Sequence, residues 1–263
     1  MSLSKIGYGI VMNKEIANRL EEAYEMYAKP TFVDDDPISI PKRYTKKQDI
    51  EITAFWTSML AWGLRKTIIN KATQLFELMG DSPYDFFMNH RDEDLARFED
   101  FKHRTFNYTD TLFFIDALKR VYQSYDSLED AFILEGSLSG ESLNTFYDFF
   151  FSPSYAPQRT RKHLAAPRKK STCKRICMFL RWIVRSDKEG IDLGLWKKIK
   201  PSQLYLPLDV HVDRSARALG LITRKQRDWK TVVEITDAVR ELDPEDPCRF
   251  DFALFGMSLN KEF

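Results

Sequence analysis

The sequence lacks the long apolar runs that would cross a membrane. Runs such as Phe132-Ile133-Leu134 and Met178-Phe179-Leu180 fall far short of the roughly 18 residues that a spanning helix requires. No charged start followed by an apolar stretch and a small-residue cleavage site is apparent at the amino terminus. We therefore expect a protein without a membrane partner, located in the cytoplasm, or associated with the nucleoid if the cell is bacterial.

Cysteine is scarce, and neither sign of charge is in excess. Three cysteines, an odd number, cannot complete a disulfide framework, and eight methionines fit a reducing compartment. Forty basic residues against thirty-nine acidic ones leave a net charge of +1. Bulk charge therefore gives no sign of a nucleic-acid partner, and only the distribution of charge along the chain is informative.

Strand patterns are also missing, whereas helical periodicity is nearly continuous. Apolar residues recur at helical spacing in several segments, including Ile16–Tyr24, Ile52–Leu60 and Leu112–Tyr122. With 263 residues and 43% hydrophobic content, the chain is long enough to bury a full core. These features predict an all-α protein that forms a single structural unit over residues 1–263.

One long segment, 151–172, is rich in proline, serine and basic residues, and it divides the chain. We expect a helical subdomain over about 44–150, and a second subdomain built from 1–43 and 151–263, with a cleft between the two. Long loops in compact domains are usually functional or disordered. The second subdomain would carry the basic loop and the candidate residues that follow.

Positive charge is concentrated between Arg159 and Arg175. This stretch holds eight lysines and arginines, one histidine and no acid. Such a run is often no more than a solvated loop. The alternative is a patch that binds phosphate groups.

Asp209 stands between an apolar approach, Leu206-Pro207-Leu208, and a helical pattern that continues to Gly220. This position predicts a helix N-cap whose carboxylate accepts backbone N–H groups. Capping alone would explain the residue. A catalytic role needs a second residue that meets it.

Lys174 is the candidate for that second residue. It lies in the first turn of a predicted helix that Ser171 or Thr172 would cap. A lysine there meets the positive end of the helix dipole, and partial burial would lower its pKa further, so that the amine becomes a nucleophile. The alternative is a lysine that binds phosphate together with its neighbours.

A lysine early in one helix, followed by an aspartate at the start of the next, resembles the signature of the bifunctional helix-hairpin-helix base-excision DNA glycosylases. Leu208–Arg214 is similar to the aspartate motif of endonuclease III, and the helix of Lys174 looks more like that of an 8-oxoguanine glycosylase. The segment from Ser58 through Thr73 to Ser82-Pro83 resembles the early helix pair of endonuclease III, whose connecting turn reaches into the duplex.

The resemblance implies a glycosylase with lyase activity that acts on an oxidised purine, resembling 8-oxoguanine, in duplex DNA. In that family the lysine attacks the sugar C1′ and the aspartate assists, which assigns these roles to Lys174 and Asp209. We expect a monomer whose partner is double-stranded DNA with a damaged base. The residues expected to contact DNA are Arg168, Lys169, Lys170, Ser171, Arg175 and His211.

A flipped base needs flat apolar walls and a few polar groups. The candidates for the base pocket are Trp62, Phe179, Phe252 and Phe255, although side chains of these types more often belong to an ordinary core. Trp182 and Trp229 are assigned to the core. We expect no cofactor: the single cysteine near the carboxyl end, Cys248, cannot hold an iron–sulfur cluster, and the pair Cys173 and Cys177 does not make a zinc site.

The sequence departs from the glycosylase pattern in two respects. The family's hairpin usually has a Gly-x-Gly turn, yet no glycine occurs between Gly140 and Gly190. Lys174 and Asp209 are also 35 positions apart, with Gly190–Trp196 inserted between them, which looks closer to the archaeal-type 8-oxoguanine glycosylases. Two alternatives therefore stay open, a non-catalytic DNA-binding member of the same fold and a helical scaffold for a protein partner.

Overall fold

The computed structural model describes residues 14–133, 136–186 and 188–263, and over these residues the protein is all-helical, as predicted. The only β-structure among them is an isolated bridge between His103 and Phe106. None of the helices described is long and apolar enough to span a membrane. The α-helices are α1 (Lys14–Tyr27), α2 (Lys47–Leu60), α3 (Arg65–Glu77), α4 (Pro83–Asn89), α5 (Tyr108–Ser124), α6 (Leu128–Phe132), α7 (Gly140–Phe150), α8 (Lys174–Val184), α9 (Val210–Ala218), α10 (Trp229–Arg240) and α11 (Phe250–Leu259).

Side-chain caps fix several of the helix starts. The Ser127 hydroxyl accepts from the backbone of α6, Ser139 caps α7, and Asp228 accepts from Thr231 N at the start of α10. Each cap satisfies one of the N–H groups that a helix leaves unpaired at its amino end. Asp209 caps α9 in the same way, which confirms the capping interpretation of its position.

The apolar side chains form two main clusters. The larger contains α2 to α8 and extends from Ile40 to Leu204, with Cys248 added from farther along the chain. The smaller contains α9, α10 and α11, together with Leu20 and Ala23 of α1. Residues 151–204, which we grouped with the second subdomain, thus pack mostly with the first, because the apolar face of α8 lies against α2. The subdomain boundaries and the cleft between subdomains stay predictions, and residues 1–13 lie outside the described part.

The inserted segment 190–196 is held in place by one buried carboxylate. Glu51 on α2 accepts from the Trp196 indole Nε1 at 2.7 Å, from Tyr122 Oη at 3.0 Å and from Leu128 N at 3.1 Å. Ser127 Oγ donates to the same carboxylate. A fully buried carboxylate is tolerable only when its oxygens are satisfied in this way. The connection between α8 and α9 is therefore fixed to the large core.

Helix α1 packs on α11, although more than two hundred residues separate them. Gly256 makes the close approach possible, because a Cβ at this position would lie 2.2 Å from Cγ of Tyr27. Since α11 also lines the cavity described next, the amino-terminal helix supports one wall of the candidate site from behind.

Candidate active site

A cavity of about 530 Å³ brings the two predicted catalytic residues together. Its walls come from the turn between α2 and α3, from the start of α8, from the residues around the start of α9, and from α11. The lining residues are Asp36, Pro37, Ala61, Gly63, Leu64, Arg65, Ile68, Lys174, Met178, Arg181, Trp182, Pro207, Asp209, His211, Asp251, Phe252, Phe255 and Leu259. Segments far apart in the sequence thus line one cavity.

Lys174 is the first residue of α8, as the sequence predicted, and its side chain is partly buried in the cavity. The amine Nζ lies 3.1 Å from the thioether sulfur of Met178 and forms no ion pair with any of the residues described. Burial lowers the pKa of the amine, against the opposing attraction of the carboxylates of Asp209, Asp251 and Asp36. A larger fraction of this amine is therefore neutral and nucleophilic than of a lysine on the surface.

Asp209 both caps α9 and faces the cavity. Its Oδ1 accepts from His211 N at 2.8 Å and from Val212 N at 3.0 Å. Within the described chain, Oδ2 accepts no hydrogen bond, and the negative charge acts on Lys174. Capping and a role beside the lysine are therefore compatible, because the two functions use different oxygens of one carboxylate.

Two further carboxylates that sequence analysis missed line the same cavity. Burial raises the pKa of Asp251 to about 6, although the Arg181 guanidinium donates to it and acts in the opposite direction. Burial also raises the pKa of Asp36, whose Oδ1 accepts from Ile38 N at 3.1 Å while Oδ2 lies 3.7 Å from Arg65. A raised pKa means that the protonated form of a carboxyl group, which donates as well as accepts hydrogen bonds, persists to higher pH than in an exposed aspartate.

The aromatic wall of the cavity is made by Phe252, Phe255 and Trp182. Phe255 packs edge-to-face with the ring of His211 at 5.2 Å, and His211 Nδ1 lies 3.2 Å from Ser258 Oγ. Trp182, which the sequence analysis assigned to the core, is 1% exposed and still borders the cavity. The flat apolar surfaces that a base would need are therefore present on one side.

Two of the four predicted pocket aromatics lie elsewhere. Phe179 is fully buried in the large core, edge-to-face with Phe55 at 5.4 Å, because it faces α2 rather than the cavity. Trp62 is next to the lining residues Ala61 and Gly63, but its ring is stacked on His163 at 5.8 Å. Its contacts support the α2–α3 turn instead of the cavity wall.

Beneath the cavity, two buried arginines are paired with three aspartates. Arg181 bonds Asp251 and lies 3.5 Å from Asp192, while Arg185 donates to Asp192 at 2.7 Å and to Asp246 at 2.9 Å. Both arginines are at most 4% exposed. Asp192 comes from the inserted segment, so the long connection between Lys174 and Asp209 supports Arg181, which lines the cavity.

Most of the basic segment is engaged within the protein. Arg168 pairs with Asp148, Lys169 donates to the Tyr147 hydroxyl, and Arg175 donates to Met59 O and stacks over Trp62. Lys170 is exposed and has no partner among the described residues. Ser171 Oγ accepts from Cys173 N at 3.1 Å.

The turn before α8 corrects one expectation. The N-cap is Cys173, not Ser171 or Thr172, and no side chain caps α8. Cys173 has φ 52° and Lys170 has φ 58°, both in the left-handed region that favours glycine. Non-glycine residues therefore form this turn. The first backbone N–H groups of α8, at and after Lys174, have no side-chain cap.

The three cysteines are free and buried. Burial raises the pKa of Cys173 to about 12, so the thiol is a poor metal ligand and nucleophile at neutral pH. No group of three histidine, cysteine or acidic side chains that suits a metal ion occurs in the part of the chain described.

Comparison with known proteins connects the chain to one family. Residues 36–260 match the family model described as a protein of unknown function, DUF2400. The chain belongs to this family. The DUF2400 match includes Lys174, Asp209 and Asp251 but begins after α1. No curated protein matches the chain, and no solved structure does.

Proposed function

We propose that this protein is a DNA glycosylase with lyase activity that removes an oxidised purine from duplex DNA. The observation that carries the proposal is the shared cavity of Lys174 and Asp209, in which the amine forms no ion pair among the described residues. The resemblance to helix-hairpin-helix glycosylases supplies the order and roles of the two residues. Aromatic walls and buried carboxyl groups suit a flat, polar base.

In the proposed reaction the neutral Lys174 amine attacks C1′ of the damaged nucleotide. The C1′–N bond to lysine forms as the glycosidic bond breaks, and the electron pair of that bond leaves with the base, which takes up a proton. The nitrogen then loses a proton, and its lone pair breaks the C1′–O4′ bond while O4′ takes up that proton, which gives a protonated Schiff base and a free 4′-hydroxyl. Removal of a C2′ proton then expels the 3′ phosphate, which is the lyase step.

Asp209 assists without touching the nucleophile directly. Its charge stabilises the positive sugar that develops at C1′, in a cavity where partial exclusion of water strengthens electrostatic interactions. Its Oδ1 stays fixed by His211 N and Val212 N, so the carboxylate needs no reorganisation during the reaction. Asp209→Asn keeps a capping oxygen but loses the charge, and we expect base release to slow about 100-fold or more.

Borohydride trapping on duplex DNA with 8-oxoguanine tests the proposal, because the reagent reduces the Schiff base to a stable covalent adduct. We expect an adduct with the unchanged protein and none with Lys174→Gln. Lys162→Gln is the matched control, since Lys162 is an exposed lysine of the same basic segment. An adduct that persists in Lys174→Gln would refute the assigned nucleophile. DNA binding without any adduct would indicate a non-catalytic DNA-binding protein.

A further inference from the structure

A second, more open groove of about 830 Å³ lies beside the turn that leads into α8. Three segments line it: the start of α7, the turn around Pro167, and the loop before α10. The lining residues are Gly140, Glu141, Asn144, Pro167, Arg168, Lys170, Arg224, Gln226, Asp228, Trp229 and Lys230. We call it the basic groove, because four of these residues are cationic and two are acidic.

The two acidic residues of the basic groove are bonded to neighbouring side chains, whereas its two lysines have no partner among the described residues. Asp228 pairs with Arg224 at 3.1 Å and caps α10, and the Glu141 carboxylate accepts from Asn144. Lys170 and Lys230 are exposed, and neither is paired with any residue that the structure describes. The groove therefore presents positive charge that the protein does not use for its own structure.

Lys230 lies in the first turn of α10, and hydrogen bonds hold the loop that precedes this turn. Thr231 Oγ1 donates to Gln226 O at 2.6 Å, Arg217 donates to Arg224 O at 2.6 Å, and Thr223 N donates to Glu234 at 2.9 Å. On the facing side, Asn144 Oδ1 accepts from Arg168 N at 3.1 Å, which anchors the basic turn to α7. Because these hydrogen bonds already fix the backbone on both sides of the groove, only the lysine side chains need to be ordered when a ligand binds.

The basic groove and the cavity of the candidate active site are each lined by a residue of the same short stretch of chain. Lys170 lines the groove and Lys174 lines the cavity, and four residues of chain span at most about 14 Å. One DNA strand advances 3.4 Å along the helix axis per nucleotide, so that distance corresponds to about four nucleotides. A strand whose damaged nucleotide enters the cavity thus passes the basic groove within a few phosphates.

We propose that the basic groove binds the phosphodiester backbone of the duplex whose damaged base occupies the cavity, through Lys170 on one side and Lys230 on the other. This inference rests on the proposed function. The contact is with phosphate and not with bases, so it adds affinity regardless of sequence or damage. It also assigns a role to the loop before α10, which the sequence analysis did not connect with DNA.

The test compares the unchanged protein with the double variant Lys170→Ala/Lys230→Ala. The matched control is Lys197→Ala/Lys200→Ala, which removes two exposed lysines whose amines donate only to backbone carbonyls. Fluorescence anisotropy measures binding of a duplex with 8-oxoguanine and of the undamaged duplex, over about 50 to 200 mM salt. Borohydride trapping at saturating protein is measured in parallel.

We expect the double variant to bind both duplexes about tenfold more weakly, and the slope of log K against log salt to shrink by about 2. The adduct should still form at saturating protein, because Lys174 is retained, and the control variant should behave like the unchanged protein. Equal affinity and slope for the double variant would overturn the groove proposal and leave the proposed function intact. Absence of duplex binding by the unchanged protein would overturn both.

Discussion

Buried cations are paired with carboxylates in the ion network of Arg181 and Arg185, whereas the Lys174 amine in the cavity is not paired with any that the structure describes. In the network, Arg181 and Arg185 are surrounded by Asp192, Asp246 and Asp251 at ion-pair distance. In the cavity, the Lys174 amine has a thioether as its neighbour and no ion pair within the described chain. Matched pairs hold a buried cation in its charged form, whereas an unmatched amine loses its proton more readily. The paired charges of the network thus suit a structural role, and the unpaired amine suits the chemistry that we propose for Lys174.

The largest effect on stability should come from removing a carboxylate of the ion network. Asp192→Asn leaves two buried guanidinium groups short of a counter-charge, and we expect the free energy of unfolding to fall by about 3–5 kcal/mol. Urea unfolding measures this loss. Asp237→Asn is the control, since it breaks an exposed ion pair with Arg240 and should cost less than about 1 kcal/mol. A similar small loss for both variants would contradict the structural role of the network.

A smaller change in stability, of opposite sign, is expected when the unpaired amine of Lys174 is removed. Lys174→Met replaces a partly buried amine by an apolar side chain, and we expect stability at pH 7 to increase by about 1 kcal/mol. Because folding lowers the pKa of Lys174, the unfolded chain holds this proton at pH values where the folded protein has released it. The contribution of Lys174 to stability should therefore rise with pH up to about 10.5, and the advantage of Lys174→Met over the unchanged protein should shrink.

Urea unfolding at pH 7 and at a pH nearer the ordinary lysine range provides the measurement. Lys162→Met, a substitution at an exposed lysine, should stay within about 0.5 kcal/mol of the unchanged protein at both values. A loss of stability in Lys174→Met at neutral pH would show that the amine is held by interactions stronger than those described above.

Asp251 belongs to both regions because it pairs with Arg181 and lines the cavity, so its removal should also lower stability. The smallest expected effect is on the pH profile of trapping, which is compared under conditions where the unchanged protein and Asp251→Asn are both folded. The pKa of Asp251 is raised to about 6, so above that pH it is ionised and its charge raises the pKa of Lys174. Asp251→Asn is neutral at every pH. We expect the acidic limb of the pH profile for borohydride trapping to move to lower pH, with the maximum yield unchanged.

A shift of the acidic limb to higher pH in Asp251→Asn would contradict this electrostatic account. Asp213→Asn is a useful control, because Asp213 is a buried aspartate of α9 whose partners are Arg217 and Arg227 and which lies outside the cavity. Its removal should leave the pH profile of trapping where it is in the unchanged protein.

Local chemistry made part of this site predictable. Capping by Asp209 and the position of Lys174 at a helix start depend on a few adjacent residues, so the sequence indicated both. The contribution of Asp251 was not visible, because its partner Arg181 is 70 positions away. The choice between Phe179 and Phe252 depends on which side of a helix meets the cavity, and both fit an apolar face equally well.

The turn before α8 is a second place where the sequence did not predict the structure. Serine and threonine are the usual caps, so Ser171 and Thr172 were reasonable predictions. The chain instead places Cys173 in a left-handed conformation that its residue type does not announce. Tertiary packing decides this outcome, since Cys173 is fully buried in the large core.

The contact between Gly256 and Tyr27 bears on where a recombinant fragment of the protein should begin. The family match begins at residue 36, whereas Tyr27, Leu20 and Ala23 lie before it and complete the core around α11. A recombinant fragment trimmed to the matched residues would leave the back of α11 bare. Since this helix carries Asp251 and Phe252, such a fragment would lose the support of the cavity wall and expose apolar side chains of α11. The boundary of sequence similarity and the boundary of the folding unit are therefore different.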